Sequence, residues 1–147
     1  MTKDEFKSAM KTINAQFGAV PSMRSIELAQ NALQQMRAAM LPSALIEFYN
    51  EFGGGGWCQD SVIFSVDEID RVGKNYIIPD IVKINRLFAD KPGMRGRMIW
   101  GRNGLFLFGA DAYGTMYMLD QLSLQPLRKY EGAPWRAMND CLVIGKI

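Results

Sequence analysis

No histidine occurs in the 147 residues, and that excludes more chemistry than any motif supplies. Without imidazole there is no Ser-His-Asp triad, no His-centred acid–base pair and no partner to activate a thiol. Cys58 and Cys141 are too few and too isolated for a disulfide framework or a zinc site. Both are read as free thiols, Cys141 on the apolar side of a helix. Asp111 and Asp120 stand nine residues apart with no further ligand type near them, so they do not make a metal set. In GADAYGT, Asp111 is read as a turn former. Asp67, Glu68 and Asp70 are close enough for carboxylate chemistry, but a helix start attracts acids for electrostatic reasons alone. Gly53 to Gly56 lack the Lys and Ser/Thr of a phosphate loop and follow a helix instead of opening one, so they are read as a helix stop. No catalytic, metal or cofactor residue is assigned. The chain is read as a non-enzyme.

Binding is the remaining class of function. The balance of 17 basic against 15 acidic residues gives +2, which supplies no global field toward nucleic acid or an anionic membrane. Locally, Lys91, Arg95, Arg97 and Arg102 form a basic run without an acid between Lys91 and Leu105, and Trp100 within it could stack on a base. A solvated loop and strand edge explain that run equally well. Asp60, Asp67, Glu68, Asp70 and Asp80 form an acidic stretch suited to a basic protein partner. Trp57 and Tyr113 lie beside turns, where aromatic side chains serve as interface anchors. The candidate partner-binding residues are Trp57, Asp60, Asp67, Asp111 and Tyr113.

Elements that would position these residues follow from periodicity. Phe6, Met10, Ile13 and Phe17 predict a helix from Thr2 to Phe17, ended by Gly18. Ser22 caps a second helix, with Met23, Ile26, Ala29, Leu33, Met36 and Met40 on one face. LPSALIEFYNEFGGGGW, from Leu41 to Trp57, reads as a proline-started, glycine-stopped helix with Leu45, Phe48 and Phe52 buried and Glu47 and Glu51 solvated. Val62 to Phe64 read as strand, and Ser65 with Glu68 as a capping box for a helical turn through Val72. Ile81, Ile84, Leu87 and Phe88 predict a helix that starts near Pro79, with the proline in its first turn. RMIWGR and LFLFG read as strands around an Asn103–Gly104 turn, GTMYMLD and LQPLRKY as further strands, and Trp135, Met138 and Leu142 as a C-terminal helix from Pro134. No window approaches the roughly 18 apolar residues of a membrane span, and the N-terminus lacks a signal-peptide core. A single cytoplasmic domain over 1–147 is expected.

Helices, then an antiparallel sheet with a helical insertion, then a last helix make an α+β arrangement. LPSALIEFYNEFGGGG, MIWGRNGLFLFGADAYGTMYMLD and the helix around WRAMNDCLV, in that order, resemble the SUKH superfamily over Ile26 to Val143. The resemblance implies N-terminal helices packed on a curved, mainly antiparallel sheet. It also implies a role without an active site: many bacterial members are immunity proteins that bind and neutralise toxins, often nucleases, and fungal relatives look like interaction modules in cell-wall regulation. The expected partner is therefore a cognate protein toxin, with no cofactor. The alternative is a small regulatory or nucleic-acid-associated module using residues 91–102.

Overall fold

The computed structural model describes residues 1–70, 77–104 and 106–143. Among the described residues five helices and nine strands form an α+β fold: a seven-stranded sheet in the order β1-β2-β3-β6-β7-β8-β9, and a two-stranded sheet β4-β5. The strands are β1 (Gln16–Phe17), β2 (Gly56–Cys58), β3 (Ser61–Ile63), β4 (Ile69–Asp70), β5 (Ile77–Ile78), β6 (Arg97–Asn103), β7 (Phe106–Asp111), β8 (Met116–Asp120) and β9 (Pro126–Tyr130). Each pairing between them is antiparallel.

The helices are α1 (Lys3–Thr12), α2 (Met23–Gln35), α3 (Ser43–Glu51), α4 (Ile81–Phe88) and α5 (Pro134–Val143). Thr2 and Glu5 form a full capping box at α1, and Ser22 accepts the Ser25 N–H at α2, as its sequence position predicts. α1 ends at Thr12, well short of Phe17, where its apolar stripe would carry it. The Ala15 N–H donates to the Met10 carbonyl and the Asn14 N–H to the Lys11 carbonyl, with Asn14 left-handed at φ 54°. That is a Schellman stop, and it frees Gln16 and Phe17 to pair as a strand with Trp57 and Gly56.

α2 stops in the same way. The Ala38 N–H donates to the Leu33 carbonyl and the Arg37 N–H to the Gln34 carbonyl, with Arg37 at φ 59°. An arginine in that left-handed position costs about 1 kcal/mol relative to glycine. The helix therefore closes before Met40, which is left exposed, as is Met23 at the other end.

One face of the sheet is closed by α5, whose Cys141 thiol lies against β3 and donates to the Val62 carbonyl. α1 and α3 pack outside α5 through a cluster of aromatic rings. Phe6 meets Phe48, Phe52 and Trp135 edge-on or tilted at centroid distances of 5.2 to 6.0 Å. Such pairs add roughly 0.5–1.5 kcal/mol each beyond the area they bury. Asp140, on α5, accepts from both Arg128 and Tyr130 of β9 at one oxygen, Oδ2, at 3.0 and 2.7 Å. Both cysteines are free and buried.

Two further expectations differ from the structure. Ser65 does not open a helical turn: its hydroxyl accepts from the Asp67 N–H, two residues on, and the chain then enters β4. The remainder of that expected turn, through Val72, lies outside the described residues. Asn103 is not a turn residue either. It pairs with Phe106 at the end of β6, and the chain turns after it, with Gly104 at φ 54°. Its buried amide instead donates to the Cys141 carbonyl at 2.7 Å.

Three tyrosine hydroxyls are held protonated by their surroundings. Tyr49 is raised by burial and donates to the Phe64 carbonyl. Burial raises Tyr130 as well, assisted by its hydrogen bond to Asp140, and Tyr117 is raised by desolvation and then by Asp111. A group with a folded pKa above its unfolded value of 10.0 contributes fully below that value and loses its contribution as pH rises through the folded one. The exposed Lys3, pushed up to about 12 by hydrogen bonds to Glu51 and Glu47, acts in the same sense. Urea midpoints are therefore expected to fall once pH exceeds about 10, and less steeply in Tyr49→Phe. A midpoint unchanged up to about pH 12 would refute this.

Candidate functional site

Two concavities lie on either side of α4, and Phe88 lines both. The first is an apolar groove of about 420 Å³. Its floor is set by sheet register. Val62 pairs with Arg102 and Arg102 with Leu107, and directly opposed residues share a face, so the three side chains form one row across β3, β6 and β7. Trp57 extends this row on β2, since it pairs with Val62. Ile84, Leu87 and Phe88 of α4 make one wall and Ile77 and Pro79 another.

Leu87 is 67% exposed and Ile77 51%. The helical spacing of Ile81, Ile84, Leu87 and Phe88 predicts one buried stripe, but only Ile81 is fully buried. Asn85 is the other inward residue, and the start of the helix is set by Asp80, which accepts the Lys83 N–H, not by Pro79. Ile84 and Phe88, half-buried against the core, and the exposed Leu87 are the α4 side chains that line the groove.

The predicted partner-binding residues divide between two places. Asp60 lines the groove from the two-residue turn between β2 and β3, and Trp57 shares its row. Asp67 is exposed just before β4. Asp70 pairs with Ile77, so these two exposed side chains share the outer face of the small hairpin while Ile69 and Ile78 are buried beneath. Asp111 and Tyr113 lie at the other end of β7, roughly 14 Å along the strand from Leu107. Asp111 Oδ1 accepts from the Tyr113 and Thr115 N–H groups and Oδ2 from the Tyr117 hydroxyl. Its carboxylate is committed to its own turn, whereas the Tyr113 ring is 95% exposed at the tip. Asp120 likewise accepts from Ser123 and Leu122, bonds that hold its pKa below the usual carboxylate value.

The second concavity is a basic cleft of about 370 Å³ between the C-terminal ends of α2 and α4, lined by Arg37, Lys91, Arg95 and Arg97. The basic run does not stay together. Arg102 opens onto the groove, roughly 15 Å along β6 from Arg97. Trp100 is fully buried and its indole N–H donates to the Gly109 carbonyl, so it offers no stacking surface. Arg97 lies over the Tyr117 ring at 5.8 Å.

The glycine run is no anion cradle. Gly53 to Gly56 are all buried, the Gly53 N–H donates to the Phe48 carbonyl, and the Gly54 N–H donates to the carbonyls of Gly18 and Ala19. Among the described residues no group of three or more His, Cys, Asp or Glu side chains is placed to hold a metal ion, and no helix is long and apolar enough to cross a membrane. Among the described residues two buried side-chain oxygens, Ser61 Oγ and Asn139 Oδ1, have no hydrogen-bond partner, and neither lines the groove or the cleft.

Comparison with known proteins finds no matching family model, no matching curated protein and no matching solved structure.

Proposed function

We propose that the chain is a non-enzymatic protein-binding domain of the immunity type, SUKH-like, which binds and neutralises a cognate protein toxin in the cytoplasm. The observation that carries this reading is the apolar groove. Leu87 and Ile77 stand exposed over a floor of Val62, Phe64 and Leu107, and an apolar concavity left open beside a charged rim is a feature of protein interfaces. Asp60 and Arg102 supply the charged rim, and Asp70 lies beside Ile77 on the small hairpin, so charge complementarity would orient a partner docked on the apolar floor. The resemblance of the chain to a family of toxin-neutralising proteins supports the same class.

The alternative, a nucleic-acid-associated module using residues 91–102, has less support because the run splits between two concavities and its tryptophan is sealed in the core.

The test is protection. Cells that express a toxin encoded beside this chain should survive only with the wild-type protein, and Leu87→Asp should weaken the complex by about 2–3 kcal/mol, near a hundredfold in Kd. Because Leu87 is largely exposed, its unfolding midpoint should shift by less than the equivalent of about 0.5 kcal/mol. Loss of protection with an unfolded variant, or full protection by Leu87→Asp, would remove the groove from the proposal.

A further inference from the structure

The basic cleft has a feature that packing alone does not account for. Arg37 occupies the left-handed position that ends α2, at φ 59°, where glycine is the unstrained choice. Asn14, Gln59 and Leu124 hold the same conformation, but of the four only Arg37 lines the cleft. The Arg37 carbonyl accepts the Gly96 N–H, which ties the loop 89–96 to this turn and brings Lys91 and Arg95 to the same cleft.

Cations beside helix C-termini have an ordinary explanation, since each helix end carries about half a negative charge. Here they exceed it. The ends of α2 and α4 together with Asp90 supply about two negative charges, and Arg37, Lys91 and Arg95 leave an excess of about one before Arg97 is considered. Among the described residues none of these three side chains makes an ion pair or a side-chain hydrogen bond. Met36, Phe88 and Met94 give the cleft an apolar lining, and its volume falls within the range of small-molecule sites.

We propose that this cleft binds a small phosphate monoester carrying a flat apolar group. Arg37, Lys91 and Arg95 take the phosphate, and Met36 and Phe88 take the ring. The site lies on the other side of α4 from the docking groove, with which it shares Phe88, and it stands whether or not a toxin is the partner. A nucleic-acid strand fits less well, because Arg102 lies too far along β6 to continue the track and Trp100, the aromatic between them, is buried.

Calorimetric titration of the full chain at low salt with AMP, adenosine, inorganic phosphate and a single-stranded RNA of about 12 nucleotides tests this. AMP is expected to bind, inorganic phosphate about tenfold more weakly, and adenosine not measurably; a lost charge-assisted contact costs about tenfold. Arg37→Gly is the decisive variant. It should raise the melting temperature by about 2 °C through relief of the left-handed arginine, yet weaken AMP about tenfold. Binding lost from a more stable protein cannot be ascribed to unfolding. Arg95→Gln should weaken AMP similarly. The proposal is overturned if AMP does not bind, if adenosine binds as well as AMP, if Arg37→Gly keeps wild-type affinity, or if the RNA binds more tightly than AMP.

Discussion

Gly54→Ala is expected to destabilise the protein by about 3 kcal/mol, and Gly55→Ala by a similar amount, because both would force an added carbon against backbone that cannot yield cheaply. A Cβ on Gly54 would stand 2.4 Å from the Ala19 carbonyl oxygen, and one on Gly55 would stand 2.7 Å from that of Ile63. These oxygens belong to the segment just after β1 and to β3, so relief requires moving backbone rather than rotating a side chain. Gly93 is the control. It sits at φ 88° with open space where its Cβ would go, so Gly93→Ala carries only the conformational term, about 1 kcal/mol. Urea denaturation of the three variants measures the difference. A Gly54→Ala midpoint equal to that of Gly93→Ala would show that the close approach is not rigid.

The glycine run shows where sequence reasoning stops. LPSALIEFYNEFGGGGW displays its helix, its proline start at the N-cap and its glycine stop, and each is found where the residues place it. What the sequence does not display is that the glycines are thin because Gly18 and Ala19, far earlier in the chain, run against them. The α+β class and the strands from Arg97 to Tyr130 were legible for the same reason as the helix: local periodicity and turn residues declare them.

Helix ends without glycine were not legible. Asn14 and Arg37 both close a helix in the left-handed conformation, and QQMRAAM contains no residue that marks such a stop. The candidate site was half legible. Asp60, which lines the groove, and Trp57, which shares the row of its floor, were singled out because charge and aromatic character at a turn are visible. Ile77 and Leu87 were not, since an apolar residue at helical or strand spacing reads as core until the layer that should cover it is found missing. Trp100 was misplaced by the converse error. A tryptophan among arginines invites an exposed reading, but an irregularity in pairing between Ile99 and Gly101 turns it inward.

Asn85→Leu is expected to cost about 4 kcal/mol, although leucine has the same branched shape and the site is buried. β3 pairs with β6 only at Arg102 and Gly101, after which the Phe64 N–H donates to the Trp100 carbonyl and the strand departs. The edge of β6 would then carry unpaired groups in the interior. Asn85 takes the place of the missing strand: its Oδ1 accepts the Ile99 N–H at 2.8 Å and its Nδ2 donates to the Ile99 carbonyl at 2.9 Å, reproducing both bonds of a paired residue. Ala39 continues the edge by donating to the Arg97 carbonyl. Leucine would leave both Ile99 groups desolvated and unmatched, at about 1–3 kcal/mol each. It would also loosen α4, and with it the shared wall of the groove and the cleft.

Asn85→Asp separates hydrogen bonding from volume. Protonated, the new carboxyl offers one donor and one acceptor and can keep both bonds to Ile99, losing only the second amide N–H, which donates to the Ile81 carbonyl at 2.8 Å. Ionised, it leaves the Ile99 carbonyl without a donor and places a charge among buried groups. Burial raises the folded pKa of such a carboxyl above its unfolded value, so its contribution is present at low pH and lost as pH rises through the folded value. The Asn85→Asp variant should therefore approach wild-type stability near about pH 4 and fall away by about pH 7, while Asn85→Leu stays uniformly destabilised. Equal loss at both pH values would show that Asn85 acts by shape and not by pairing with Ile99.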